Sequence, residues 1–216
     1  MTATALHPTR ALPTPTTRAL LACGALAGPV FVGTGLVQGL TRAGFDLTRH
    51  PASVLANGDL GWVQITNFVL AGLLTLAAAA GMRRVLPGRW GPRLLAGYGV
   101  SLLCAGAFRA DPQDGFPLGT PAGPPSSVSW HGTLHFVCGG LGFAALVAAC
   151  FAIGSHLTPA RAWYSRITGV LFLVGFAGVA SGSASPAVVL GFWAAVVIAW
   201  TWLATTSTHL MRRTVA

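Results

Sequence analysis

Two stretches hold nearly all the residues that could do chemistry. The first is Phe108-Arg109-Ala110-Asp111-Pro112-Gln113-Asp114-Gly115-Phe116-Pro117, and the second is Trp130-His131-Gly132-Thr133-Leu134-His135. A carboxylate beside an imidazole is the raw material of general acid–base catalysis, and a low dielectric shifts the pKa of both groups. His131 and His135 are four residues apart, so on a helix they share one face about 6 Å apart along the axis. That spacing suits a divalent metal, provided Asp111, Asp114 or Asp46 folds back as a further ligand. The plainer reading is structural. Asp-Pro and Asp-Gly are turn formers, Arg109 is placed to pair with Asp111 or Asp114, and both histidines suit hydrogen bonds to loop carbonyls at a helix start.

A third group lies upstream. Gln64 and Asn67 are three residues apart, with Trp62 beside them, at the start of an apolar run. Polar residues just inside such a run face other helices or a watery cavity. They serve as interhelical glue or as ligand contacts. The candidate site therefore comprises Asp46, Asp111, Asp114, His131 and His135 for catalysis. Trp62, Gln64, Asn67, Phe108 and Arg109 are the candidates for substrate contact.

The scaffold follows from composition. Of 216 residues, 53% are hydrophobic and 8% charged, about a third of the charged share of a soluble domain. This is an all-α integral membrane protein. Six apolar runs, at about 19–40, 62–82, 94–109, 131–153, 167–184 and 187–209, predict six transmembrane helices in an up-down bundle spanning 18–210. They lack the period-two alternation of a membrane barrel. The third run is short. Residues 1–17, rich in Thr, Pro and Ala, read as a disordered cytoplasmic tail, and 211–216 as a second tail. The first run resembles a secretory signal in position, but its length suits a retained helix.

The net charge of +9 comes entirely from arginine. With the N-terminus inside, Arg10, Arg18, Arg83, Arg84, Arg89, Arg93, Arg161, Arg166, Arg212 and Arg213 are cytoplasmic and Arg42, Arg49 and Arg109 are outside. This ten-to-three asymmetry sets both termini in the cytoplasm of a multi-pass cell-membrane protein. It also makes membrane lipids, not nucleic acid, the expected partner. All four acidic residues, Asp46, Asp59, Asp111 and Asp114, then lie outside with His50, His131 and His135. Glycines at 24/28, 35/39 and 175/178/182 are spaced for close helix packing, within the bundle rather than in a dimer. Cys23, Cys104, Cys138 and Cys150 sit in apolar runs without CxxC spacing and read as small buried hydrophobes.

The run Gly61-Trp62-Val63-Gln64-Ile65-Thr66-Asn67-Phe68, after the polar Pro51–Leu60 segment, resembles the first signature of the bacterial membrane proteins called domain of unknown function 998. Phe108–Pro112 with Gly115–Pro117 resembles the second signature, and His131-Gly132-Thr133-Leu134-His135 the third. The resemblance extends from the first apolar run to the sixth. It implies a multi-helix membrane protein and no mechanism.

Three functions fit these residues. One is an enzyme acting on a lipid or apolar small molecule, by acid–base cyclisation or isomerisation or by metal-assisted hydrolysis. Another is a small-molecule binder or transporter. The third is a structural or accessory membrane protein. No serine nucleophile elbow, P-loop, dinucleotide fingerprint or CxxCH haem attachment is present. The middles of the spans carry few polar groups beyond Thr75, Ser101, Ser181 and Ser183, which argues against ion-coupled transport.

Overall fold

The computed structural model describes residues 13–213. It contains six α-helices: α1 (Pro15–Thr41), α2 (Gly61–Val85), α3 (Trp90–Ala107), α4 (Trp130–Gly154), α5 (Pro159–Ala180) and α6 (Pro186–Arg212). A single 3-10 turn, Ala52–Ala56, lies between α1 and α2. No β-strand occurs among the described residues.

Five helices, all but α3, are long and apolar enough to cross a membrane. The third expected span differs for a compositional reason. Its helix has 18 residues and opens on Trp90-Gly91-Pro92-Arg93, which dilutes its apolar character. Helix ends also depart from the expected spans, because caps rather than hydropathy set them. Thr14-Pro15, Thr158-Pro159 and Ser185-Pro186 each place proline in the first turn, where its missing N–H costs nothing. The α5 helix therefore begins eight residues before the apolar run at Ile167, and Arg161 and Arg166 lie on the helix rather than in a loop. Similarly, Pro15–Thr17 belong to α1; residues 1–12 of the expected tail, and 214–216 of the second one, lie outside the described residues.

Each helix packs on its sequence neighbours, and α6 closes on α1, so the six make a ring. Aromatic side chains fill it. Phe31 of α1 stacks on Trp200 of α6 with ring centroids 5.0 Å apart, and Tyr98 of α3 reaches the same indole at 5.8 Å. Phe143 continues the column to Phe172 and Phe192. In lipid such contacts hold helices by dispersion rather than by water exclusion. Small residues permit the approach: Gly24 faces Ser207 and Gly28 faces Trp200, both on α6, while Gly175 faces Ala195. The glycine stripes thus pack helices within the bundle. Outward, Phe136, Leu141, Val174 and Leu40 are exposed, the apolar exterior that a lipid solvent requires.

The alternating helices put the start of α1 and the end of α6 on one face, here the terminal face. The α1–α2, α3–α4 and α5–α6 connections lie on the other, the loop face.

Candidate functional site

The loop face is covered by two connections, residues 42–60 and 108–129, joined by bonds from Arg49 and His50 to the carbonyl of Asp114 and from Asn57 to that of Ala110. His50, fully buried at 0% exposure, is their centre. Its Nδ1 accepts the backbone N–H of Asp46 (2.9 Å), so the ring proton resides on Nε2 and donates to the carbonyl of Asp114 (3.1 Å). The His50 carbonyl accepts the indole N–H of Trp193 on α6 (3.0 Å). One residue thereby ties both connections to the helix that closes the ring. Phe45 and Phe116 pack against its imidazole, and with Val54 and Leu55 they form a small second core.

Arg42, just past the end of α1, covers this core. Its guanidinium lies 4.8 Å from the centroid of Phe116, a cation–π arrangement. Its two terminal nitrogens donate to the carbonyls of Leu55 and Asn57. Burial pushes the guanidinium down from its ordinary range and Asp59 opposes that shift; it remains charged near neutrality. Asn57 Nδ2 donates to Val54 O (3.1 Å) and across to Ala110 O (3.0 Å). Gln38 of α1 lies outside the site expected from the sequence, as do His50, Arg42 and Asn57. The signal for the last three was available: polar residues with long reach in connections too short of apolar residues to pack unaided.

Two of the three expected catalytic carboxylates, those of Asp46 and Asp111, are occupied in local structure. Asp46 Oδ1 accepts the N–H (2.8 Å) and hydroxyl (2.7 Å) of Thr48. Those bonds, the hydroxyl foremost, hold its carboxyl below the usual range. Asp111 Oδ2 accepts the N–H of Ser129 (2.9 Å), the residue that caps α4 through its own hydroxyl on Gly132 N (3.0 Å). Asp111 thus supplies negative charge to a helix N-terminus rather than to Arg109, which is exposed. A Cβ at position 132 would collide with the Asp111 carboxylate, so glycine here lets that carboxylate sit against the start of α4. Asp114 contributes its backbone: at φ 52° it turns its carbonyl toward Arg49 (2.8 Å) and His50, in the left-handed region that aspartate tolerates.

The two α4 histidines differ. His135 is buried, and its Nδ1–H donates to the carbonyl of Phe108 (2.8 Å), so the Nε2 lone pair is left as an acceptor. His131 lies against Trp130 and Phe108, and its Nδ1 is buried without a hydrogen-bond partner. Among the described residues no three His, Cys, Asp or Glu side chains group as metal ligands. The expected divalent-metal site at His131 and His135 therefore gains no third protein ligand, because Asp111 is turned to the α4 cap.

Beneath this layer lies an amide cluster. Gln38 Nε2 of α1 donates to Gln64 Oε1 of α2 (2.9 Å). Asn67 Nδ2 donates to the same oxygen (3.3 Å) and to the carbonyl of Phe31 (3.1 Å). The Gln38–Gln64 and Asn67–Phe31 bonds join α1 to α2, the interhelical glue that one of the two readings of Gln64 and Asn67 expects. Yet Gln38 Oε1, Gln64 Nε2 and Asn67 Oδ1 are buried without any partner. Leaving such an atom unpaired costs about 1–3 kcal/mol. Phe68, which packs on Phe31, stands between this cluster and His135. Trp62 turns outward at 63% exposure and takes no part.

The fold and this layer define a class: a polytopic, all-helical membrane protein whose four acidic residues all belong to one face. The family model described as protein of unknown function (DUF998) matches residues 25–209, and the chain belongs to that family. Comparison with curated proteins and with solved structures finds no match.

Proposed function

We propose that this protein resides in the cell membrane with six spans, α3 included, and both termini cytoplasmic, and that it binds a small amphiphile beneath its outer face. The arginine asymmetry supports the orientation, and the packing of α3 between α2 and α4 supports its spanning. The binding reading rests on one observation: Gln38 Oε1, Gln64 Nε2 and Asn67 Oδ1 are buried and unpartnered in one cluster. Two acceptors beside one amide donor complement a neutral head group bearing a hydroxyl or an amide. No charged group belongs to the cluster. The surrounding apolar helices suit a hydrocarbon body.

Mass spectrometry of extracts from the purified protein tests this. Wild type should carry a defined amphiphile that Gln64→Met and Asn67→Leu have lost, with all three proteins monodisperse and cooperative in thermal unfolding. Release of bulk lipid alone from wild type, or an unchanged extract from the folded variants, sinks the reading.

A second reading, acid–base catalysis on the bound molecule, is favoured by the fixed tautomer of His135. A carbonyl-anchored Nδ1–H leaves Nε2 as the basic atom, the arrangement a general base requires.

A further inference from the structure

The terminal face holds a site that neither the loop-face residues nor the family description touches. A crevice of about 370 Å³ opens between α5 and α6, lined by Arg161, Ala204, Thr205, Thr208, His209 and Arg212. We infer that this crevice binds a phosphate-bearing anion, held by Arg161, Arg212 and His209.

The donors are identified by elimination. The hydroxyl of Thr205 donates to Thr201 O (2.9 Å) and that of Thr208 to Ala204 O (2.8 Å), so both protons stay within α6. The remaining donors are two guanidiniums, whose planar forks match phosphate oxygens, and the His209 imidazole. His209 Nε2 is buried without a hydrogen-bond partner; with its proton there it is a neutral donor to an anion. No side-chain carboxylate competes, because the four acidic residues of the chain, Asp46, Asp59, Asp111 and Asp114, all belong to the opposite face.

The walls are fixed. Trp202 Nε1 donates to Ser165 Oγ (2.9 Å), and Ser165 donates to the carbonyl of Arg161 (2.8 Å). This buried chain locks α5 to α6 next to the crevice. The level is that of the headgroups: Trp163 is exposed on α5 with Arg166 5.7 Å from its ring, and such aromatic and basic pairs sit at membrane interfaces. Beyond them α5 exposes Ile167, Val170, Leu171 and Val174, a surface along which acyl chains can lie. A phospholipid headgroup and a soluble phosphate share the recognising chemistry, and the exposed apolar surface of α5 favours the lipid.

The test uses the full chain in detergent, titrated with inorganic phosphate, short-chain phosphatidylglycerol or short-chain phosphatidylcholine. Saturable binding of phosphate identifies a soluble anion as the ligand, and binding of phosphatidylglycerol alone identifies a lipid. In either case Arg161→Gln and Arg212→Gln should each weaken binding about tenfold, the effect of one lost charge-assisted contact. Arg84→Gln, on the same face but outside the crevice, should change it less than about twofold, as rim charges do. Arg212 is exposed at the end of α6, so its variant keeps the test open even if Arg161→Gln fails to fold. Failure of both anions to saturate, equal affinity for phosphatidylcholine and phosphatidylglycerol, or an Arg84→Gln loss as large as the others would overturn the inference. None of these outcomes depends on the loop-face amide cluster.

Discussion

The indole N–H of Trp193 donates to the carbonyl of His50 across 3.0 Å and 143 positions of chain. It is the bond that fastens the loop-face layer to α6, and it is buried. Trp193→Phe keeps an aromatic ring but removes the donor and part of the indole that packs on Gly35; the unpaired carbonyl alone costs about 1–3 kcal/mol. His50→Ala removes the hub itself, with its bonds to Asp46 and Asp114 and its packing on Phe45 and Phe116. It should cost more, about 3 kcal/mol or above. Thermal unfolding in detergent ranks the two. Hydrogen exchange across 46–57 should rise in both, and an unchanged pattern in Trp193→Phe contradicts the fastening role.

Gly132 and Asp111 make a second pair. Gly132→Ala drives a methyl into the Asp111 carboxylate, so it should undo the same contact as Asp111→Ala. Each should destabilise by about 1–2 kcal/mol, the scale of a lost helix cap, and the double variant should lose no more than the larger single one. Additive losses would show that the two residues act separately.

How much of this was legible depended on the range of the forces involved. The helices were readable because lipid forces every apolar run to satisfy its own backbone, and the family resemblance lay in residues the sequence displays openly. The clustering of Asp111 with the start of α4 was readable too. Its purpose was not, since a carboxylate aimed at a helix N-terminus looks in one dimension like a carboxylate aimed at a histidine. The role of Gly132 depends on a contact 21 positions away. The sequence places His50 on the outer side but not in the site, because two of its partners, Asp114 O and Trp193, lie 64 and 143 positions away and meet it only when the ring closes. Hydropathy starts the fifth span at Ile167, whereas α5 begins at Pro159, because Thr158-Pro159 starts the helix where hydropathy is still low.

The Asp46 carboxyl is held below the ordinary carboxylate range by Thr48. A depressed acid contributes stability that is complete above its unfolded value, about 3.9, and is lost as pH falls through the lower folded value. Thr48→Val removes the hydroxyl donor and returns the carboxyl toward its ordinary range. The melting temperature of Thr48→Val should therefore lie below wild type at pH 7, and the gap should narrow below about pH 3. A gap independent of pH assigns the loss to packing instead.

Cys104 of α3 and Cys138 of α4 are neighbouring thiols, and both are free. Mild oxidation with copper phenanthroline should join them, with loss of two thiol protons and two electrons to the oxidant. The product should retain two titratable thiols under denaturing conditions, Cys23 and Cys150. Peptide mapping that finds other pairings, or none, contradicts the α3–α4 packing on which the spanning of α3 depends.

His135 separates the catalytic from the structural meaning of the loop face. Its Nδ1–H bonds the carbonyl that ends α3, so His135→Ala leaves that carbonyl unpaired and should destabilise by about 1–3 kcal/mol. His135→Asn offers a side-chain N–H in place of Nδ1–H, and an amide has no basic nitrogen. If His135 is a general base, His135→Asn should fold and bind the amphiphile as wild type does while losing conversion of it by about 100-fold or more. If His135 only latches α3 to α4, His135→Asn should match wild type in every assay while His135→Ala melts early. Asp111→Asn complements the measurement: Asn keeps an oxygen for Ser129 N, so a variant that folds but fails to convert the ligand would return Asp111 from helix capping to the chemistry.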